Sequence, residues 1–132
     1  MEYKSNDATP LRPQGDRVLN APLVEMDLNK FIEQIKTEAT WQESSHNSIT
    51  IFKSDSLRIV LIGMHKNAVL KKHTTNAIIS VQVLKGTIQF ITDKETVSLT
   101  KGQMIALQPK ISHSVQATTE SFFLLSVAAL DK

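Results

Sequence analysis

Two histidines, each beside a turn in a run of short strands, are the residues of this chain best suited to chemistry. His73 opens the segment HTTNAIISVQVLKG, which ends at Gly86, and His113 lies between Gly102 and Ala117 in GQMIALQPKISHSVQA. Neutral imidazoles bind divalent metals, and protonated imidazoles donate hydrogen bonds to anions. The pair is therefore the first candidate for a metal or ligand site.

Short apolar segments separated by close turns follow one another from Ser48 onward, with no helical pattern between them. About eight such strands predict an all-β sandwich or barrel. The predicted strands are Ile49–Phe52, Ser56–Met64, Ala77–Leu84, Thr87–Thr92, Thr96–Leu99, Met104–Leu107, His113–Ala117 and Ser121–Leu130.

The part of the chain before these strands differs in composition. Residues 1–22 are polar and contain Pro10, Pro13 and Pro22, which exclude a helix interior, so we expect an extended N-terminal arm. After Asp27, a residue type favoured at N-caps, apolar residues recur at helical spacing and predict one short helix at about residues 28–38. Residues 23–132 are expected to form a single domain.

Composition excludes several classes of function. The chain has no cysteine, which excludes disulfides and thiolate zinc sites. Lys and Arg number 15 against 13 Asp and Glu, without a long basic run, so no nucleic-acid surface is indicated. Neither a signal peptide nor an apolar run of membrane-spanning length is evident, and we expect a cytoplasmic protein without a membrane partner. Phosphate-loop, nucleophile-elbow and His-Glu-x-x-His motifs are also missing.

The segment around the first histidine resembles the first signature motif of the cupins, small β-barrels that hold a metal or a small ligand. His73 matches the motif's first histidine, and Gly86 matches its closing glycine. The motif's second histidine falls on Thr75, and its glutamate falls on Ile79. Its opening glycine falls on Asn67, a tolerable change because asparagine adopts left-handed backbone more readily than most residues.

The segment around the second histidine resembles the second cupin motif. Gly102, Pro109 and His113 match it with a one-residue shift, whereas the glycine between the last two is missing and the final asparagine falls on Ala117. Over residues 25–130 the chain is similar to small single-domain bacterial cupins, which generally lack an assigned activity. The resemblance implies a double-stranded β-helix, the cupin jelly-roll barrel of the RmlC-like type, with one short N-terminal helix.

Strand alternation places His73, Thr75 and Ile79 on one face, and His113 is expected to face them inside the barrel. A catalytic zinc usually has three protein ligands, and open-site iron oxygenases use two histidines and a carboxylate. Because a hydroxyl and an alkyl group replace two of the ligands, His73 and His113 alone would bind zinc, nickel, iron or manganese weakly.

Three interpretations of the histidine pair stay open. The rings can hydrogen-bond to each other, to water or to Thr75; they can bind a metal weakly; or they can donate to an anionic ligand. His65, at a strand end, could supply a missing ligand, whereas His46 is expected in solvent. Trp41 is expected to cover the barrel flank where helix meets sheet, with the pocket mouth as the alternative.

Two functions follow from the sequence. The preferred one is a homodimeric binding module that holds a small organic molecule in a mostly apolar pocket capped by His73, Thr75 and His113. The alternative is a metal-dependent enzyme of the dioxygenase or isomerase type, by family analogy, with the two histidines as ligands. The dimer is expected to form through the N-terminal arm and an outward strand face that includes Ile78 and Leu84.

Overall fold

A computed structural model of the chain describes residues 4–5 and 18–129. In chain order its elements are β1 (Lys4–Ser5), β2 (Val18–Asn20), α1 (Leu28–Thr37), α2 (Ala39–Glu43), β3 (His46–Lys53), β4 (Leu57–Met64), β5 (Val69–His73), β6 (Ala77–Lys85), β7 (Thr87–Thr92), β8 (Thr96–Thr100), β9 (Met104–Leu107), β10 (His113–Ala117) and β11 (Ser121–Ala129). Most of the predicted N-terminal arm lies outside the described residues. No described helix is long and apolar enough to cross a membrane.

Two antiparallel sheets form the body of the fold. One sheet has five strands in the order β3-β4-β11-β6-β9, and the other has four in the order β5-β10-β7-β8. Strands far apart in sequence are neighbours in both, as when β11 lies between β4 and β6. This is the jelly-roll arrangement, and it confirms the all-β fold predicted from the sequence. A separate short ladder joins β1 to β2.

The main core lies between the two sheets. Along β6 every second residue from Ala77 to Val83 is buried, as the predicted alternation requires. Of these residues, Ile79, Val81 and Val83 pack with Ile88, Phe90 and Phe123 from strands of both sheets. Truncating a fully buried aliphatic side chain in such a core costs about 2–5 kcal/mol.

A second apolar cluster covers the other face of the five-stranded sheet, where the two helices pack. We call it the helix-side cluster; its buried members are Ile32, Ile35, Trp41, Ile49, Ile51, Leu61 and Phe122. Leu84, expected on an outward face open to a partner, packs against this cluster instead. Leu84 stays partly exposed, and its part in a dimer contact stays a prediction.

The helix α1 agrees with its sequence signals. The Asp27 carboxylate accepts a hydrogen bond from the Lys30 backbone N–H at 3.2 Å, as an N-cap does. The sequence predicted one helix, however, and the structure has a second, α2, after an extended residue at Glu38. A five-residue helix has little stability of its own, so burial of Trp41 in the helix-side cluster stabilises α2.

One strand of the four-stranded sheet was missed by the sequence prediction. Residues Val69–His73 form β5, so His73 ends this strand, and three residues separate it from β6. β5 is an edge strand whose residues are largely exposed, including Lys71 and Lys72. Charged residues such as lysine are common on edge strands, where they hinder pairing with another chain, and here they replace the alternating apolar signal.

The turns use left-handed backbone at four described positions. Asn67 has a φ of 72°, which confirms that asparagine can replace glycine there, and Lys110 has a φ of 67° in the turn before His113. Gly86 and Gly102 have φ values of 84° and 86°.

The two glycines provide a matched test of this backbone geometry. At Gly86 a Cβ would overlap the Glu120 carbonyl oxygen and Ser121, whereas at Gly102 nothing lies within 4 Å. We expect Gly102→Ala to lower the free energy of unfolding by about 1 kcal/mol, from backbone strain alone, and Gly86→Ala by about 3 kcal/mol or more. Urea unfolding of both variants measures this, and equal losses would contradict the close approach at Gly86.

Candidate functional site

A cavity of about 300 Å³ lies between the two sheets. The five-stranded sheet contributes apolar side chains, and the four-stranded sheet contributes the two histidines with further apolar groups. All four predicted site residues line it: His73, Thr75, Ile79 and His113. The structure thus brings together residues that lie up to forty positions apart in the sequence.

Strand pairing brings the two imidazoles together. His113 on β10 is the register partner of His73 on β5, and their ring centroids are 4.5 Å apart with a tilt of 58°. His113 is only 4% exposed, whereas His73 is exposed to solvent. Phe90 stacks on the His113 ring at 5.5 Å and holds it from the other side. One ring is therefore deep in the cavity wall and the other is at the surface.

Both imidazoles use the same ring nitrogen to contact the backbone. His73 Nδ1 lies 3.0 Å from the Lys71 carbonyl oxygen, and His113 Nδ1 lies 2.9 Å from that of Ile111. A carbonyl oxygen only accepts, so each Nδ1 carries the proton and donates it. In the neutral rings each Nε2 therefore has a lone pair.

The Nδ1-protonated tautomer excludes one of the three interpretations of the histidine pair that the sequence left open. Two neutral Nε2 atoms are both acceptors, so the neutral rings of His73 and His113 cannot hydrogen-bond to each other. No described side chain or backbone group donates to either Nε2 atom. The pair is therefore suited to a donor or a cation that comes from outside the described chain.

The remaining ligand positions of the sequence motif are filled by a hydroxyl and an alkyl group. Thr75 lines the cavity, and its carbonyl oxygen accepts from the Lys110 N–H at 2.8 Å, which ties together the loops before β6 and β10. Ile79 is buried at 3% exposure and presents only hydrocarbon. The described residues contain no group of three or more His, Cys, Asp or Glu that could hold a metal. The donor set therefore does not fit a metal site with three protein ligands.

The other two histidines do not contribute to the cavity. His65 Nε2 lies 2.7 Å from the Trp41 carbonyl oxygen, and the two rings stack at 3.7 Å, so the hypothesis that His65 supplies a ligand is wrong. Trp41 is buried in the helix-side cluster, which confirms its predicted place at the helix–sheet junction. His46 is half-buried and lies beside the Ser45 hydroxyl, rather than fully in solvent as predicted.

Arg58 is a cavity residue that the sequence prediction missed. It lies on β4, and its side chain leaves the strand on the same face as those of Val60 and Ile62, which belong to the core between the sheets. It lines the cavity from the five-stranded sheet, opposite the histidines. A signal was present in the sequence, because Arg58 is the charged residue within the apolar run LRIVLIGM. Its parity with Val60 and Ile62 predicts an inward position.

Chemically the cavity combines three kinds of group. Its walls are mostly apolar, two imidazole lone pairs and threonine hydroxyls lie on one side, and a guanidinium lies on the other. Such a mixture, with a few polar groups in an apolar cleft, is typical of a small-molecule site.

Solved structures show what this strand arrangement is similar to. A conserved protein of unknown function from Streptococcus pyogenes is 23% identical, with a TM-score of 0.63, over 68% of this chain and 79% of that one. A cupin-2 domain containing protein from Shewanella frigidimarina is 13% identical, with a TM-score of 0.64, over 78% and 93%. Salicylate 1,2-dioxygenase from Pseudoaminobacter salicylatoxidans is 18% identical, with a TM-score of 0.59, over 64% of this chain and 25% of that one.

Likeness at these identities shows the fold and carries no activity with it. No family model matches the sequence, and no curated protein matches it either.

The assigned tautomers can be measured directly. In ¹⁵N-labelled protein at about pH 8, where an ordinary imidazole is neutral, we expect His73 and His113 to be protonated on Nδ1. His65 is the internal control, because its Nε2 donates to a carbonyl and it should show the opposite tautomer. Long-range ¹H–¹⁵N spectra distinguish the two forms. An Nε2-protonated His113 would contradict the contact between His113 Nδ1 and the Ile111 carbonyl oxygen.

Proposed function

Since the chain has the cupin fold, we propose that it is a small-molecule binding protein whose ligand occupies the cavity between the two sheets. The observation that carries this proposal is the pair of Nε2 lone pairs at His73 and His113, which have no donor among the described residues, in a cavity with apolar walls. A ligand with an apolar body and one O–H or N–H group would satisfy them.

The other cavity residues favour binding over catalysis. Thr75 and Ile79 provide a hydroxyl and hydrocarbon where acid–base chemistry would need a carboxylate or a further imidazole. Ile79 would contact the apolar body of the ligand. A role as a sensor or carrier of a small organic molecule is therefore the best supported.

Phenol is a suitable probe, because it combines an apolar ring with a single O–H donor. We expect saturable phenol binding that shifts the ring-nitrogen resonances of His113 and raises the melting temperature. Ile79→Phe should abolish binding, since the larger side chain extends into the cavity. Ile78→Phe is the matched control, because it lies on the opposite face of the same strand. Unchanged phenol binding in Ile79→Phe, with the fold intact, would exclude this cavity.

A second candidate function is that of a metal-dependent enzyme, such as a dioxygenase or isomerase. One observation favours it: metal-binding histidines commonly donate their other ring N–H to a backbone carbonyl, as His73 and His113 do. The neighbour from Pseudoaminobacter salicylatoxidans is itself a dioxygenase. Two protein ligands without a carboxylate, however, would leave most of the coordination sphere of zinc, nickel, iron or manganese to water.

Metal analysis of protein purified without an affinity tag tests this candidate. We expect less than one equivalent of metal to remain after dialysis, because two imidazoles bind weakly. Thr75→His with Ile79→Glu should convert the pair into a tight site by adding an imidazole and a carboxylate. Stoichiometric metal in the unmodified protein that is lost in His73→Ala with His113→Ala would instead favour the enzyme.

The homodimer and the cytoplasmic location stay predictions. The surfaces expected to form the dimer are the N-terminal arm and the face of β6 that includes Ile78 and Leu84, both of which are half-buried.

A further inference from the structure

We propose that the ligand is a small organic carboxylate with a hydroxyl or N–H group at its far end. Arg58 binds the carboxylate, and the Nε2 atoms of His73 and His113 accept from the donor at the other end. This inference rests on the proposed function and specifies the chemical class of the ligand.

The position of Arg58 is the first argument. The alternate residues that follow Arg58 on β4 pack in the core between the sheets; they are Val60, Ile62 and Met64. The side chain of Arg58 therefore leaves the backbone on the same inward face. Across the five-stranded sheet Arg58 pairs with Val127, which pairs with Ile79. Arg58 thus lies in the same row as Ile79, two strands away, or about 10 Å.

The second argument is that Arg58 has no counter-ion in the described part of the chain. No described carboxylate forms a salt bridge with it, although Lys72, on the exposed edge, does pair with Asp93 at 2.6 Å. A guanidinium presents a planar fork of donors that matches a carboxylate in two parallel hydrogen bonds. The residue is exposed, which puts the anionic end of the ligand at the solvent side of the cavity.

The charge of the cavity selects a carboxylate over a phosphate. Among the described residues, Arg58 is the one permanently charged side chain that lines it, and most of the remaining lining is apolar. A singly charged carboxylate is neutralised by one guanidinium. A phosphate carries more charge and needs more donors than this lining supplies, so its desolvation would be uncompensated.

Cavity volume limits the size of the ligand. At about 300 Å³ the cavity is about twice the volume, roughly 150 Å³, that accommodates benzene in a protein interior. Taken as displaced water, it corresponds to about ten molecules of roughly 30 Å³ each. A hydroxybenzoate or a short hydroxy or amino acid with an apolar middle therefore fits.

The histidine tautomers select the group at the other end. Because each Nδ1–H is donated to a backbone carbonyl, the neutral rings present acceptors to the cavity. A second carboxylate there would face two lone pairs, whereas a hydroxyl or N–H would donate to one of them. The site therefore favours hydroxy or amino acids over dicarboxylates and over simple apolar acids.

Four probes separate these contributions in calorimetric titrations of the whole protein: phenol, benzoate, 3-hydroxybenzoate and 4-hydroxybenzoate. We expect at least one hydroxybenzoate to bind tenfold or more tightly than phenol and than benzoate, because charged hydrogen bonds exceed neutral ones in strength. Arg58→Met should remove the advantage of the hydroxybenzoate over phenol. Lys53→Met is the matched control, since Lys53 pairs with Arg58 on the next strand and does not line the cavity.

The outcomes distinguish this inference from the function on which it rests. If phenol binds but neither hydroxybenzoate gains affinity, or if the gain survives in Arg58→Met, the carboxylate assignment is overturned and the binding function stands. Inorganic phosphate that displaces a hydroxybenzoate better than acetate does would also overturn it. If none of the four probes binds, the proposed function fails as well.

Discussion

The five-stranded sheet is covered on both faces along β4 and β11, and this double burial constrains the rest of the structure. One face packs on the four-stranded sheet and the other packs on the helix-side cluster. Strands β4 and β11 therefore carry apolar residues on both sides, which leaves few positions where a charge is tolerated. Arg58 occupies such a position near the start of β4, where the inward face reaches the cavity and solvent.

The four-stranded sheet contributes the complementary part of the site. Both histidines donate Nδ1–H to the carbonyl two residues earlier, so the same local contact orients each ring. Strand pairing then sets their separation, and Phe90 fixes the deeper ring. Because the orienting groups are backbone atoms, the tautomers follow from the chain path rather than from neighbouring side chains.

The sequence predicted the parts of the fold that follow from regular alternation. The strands of both sheets except β5 were found from apolar periodicity and turns, and the inward face of β6 followed from parity. The convergence of His73, Thr75, Ile79 and His113 on one cavity was predicted from motif resemblance. The parity argument that placed His73 and Ile79 on one face of a single strand was wrong, because His73 ends β5 in one sheet and Ile79 lies on β6 in the other. Turn residues and motifs are local, and apolar alternation has a fixed period, so all of them can be recognised in a single sequence.

The features that were missed depend on contacts between distant residues. β5 is an exposed edge strand with lysines, α2 is too short to be stable without Trp41 burial, and the stack of His65 on Trp41 joins residues from separate elements. Arg58 was overlooked for a different reason: its strand was assigned correctly, but the parity argument was applied to the histidine strands alone. Nothing in the sequence indicates the Nδ1 contacts, because they depend on backbone geometry at Lys71 and Ile111.

The location of the cavity has a mechanical consequence. Its walls belong to two different sheets, so a molecule bound there touches both layers and acts as a cross-brace between them. Unfolding would have to release that molecule, and its binding free energy would add to the resistance of the barrel to opening. Ligand occupancy of the cavity and the rigidity of the barrel are therefore coupled, because a bound molecule would contact both sheets.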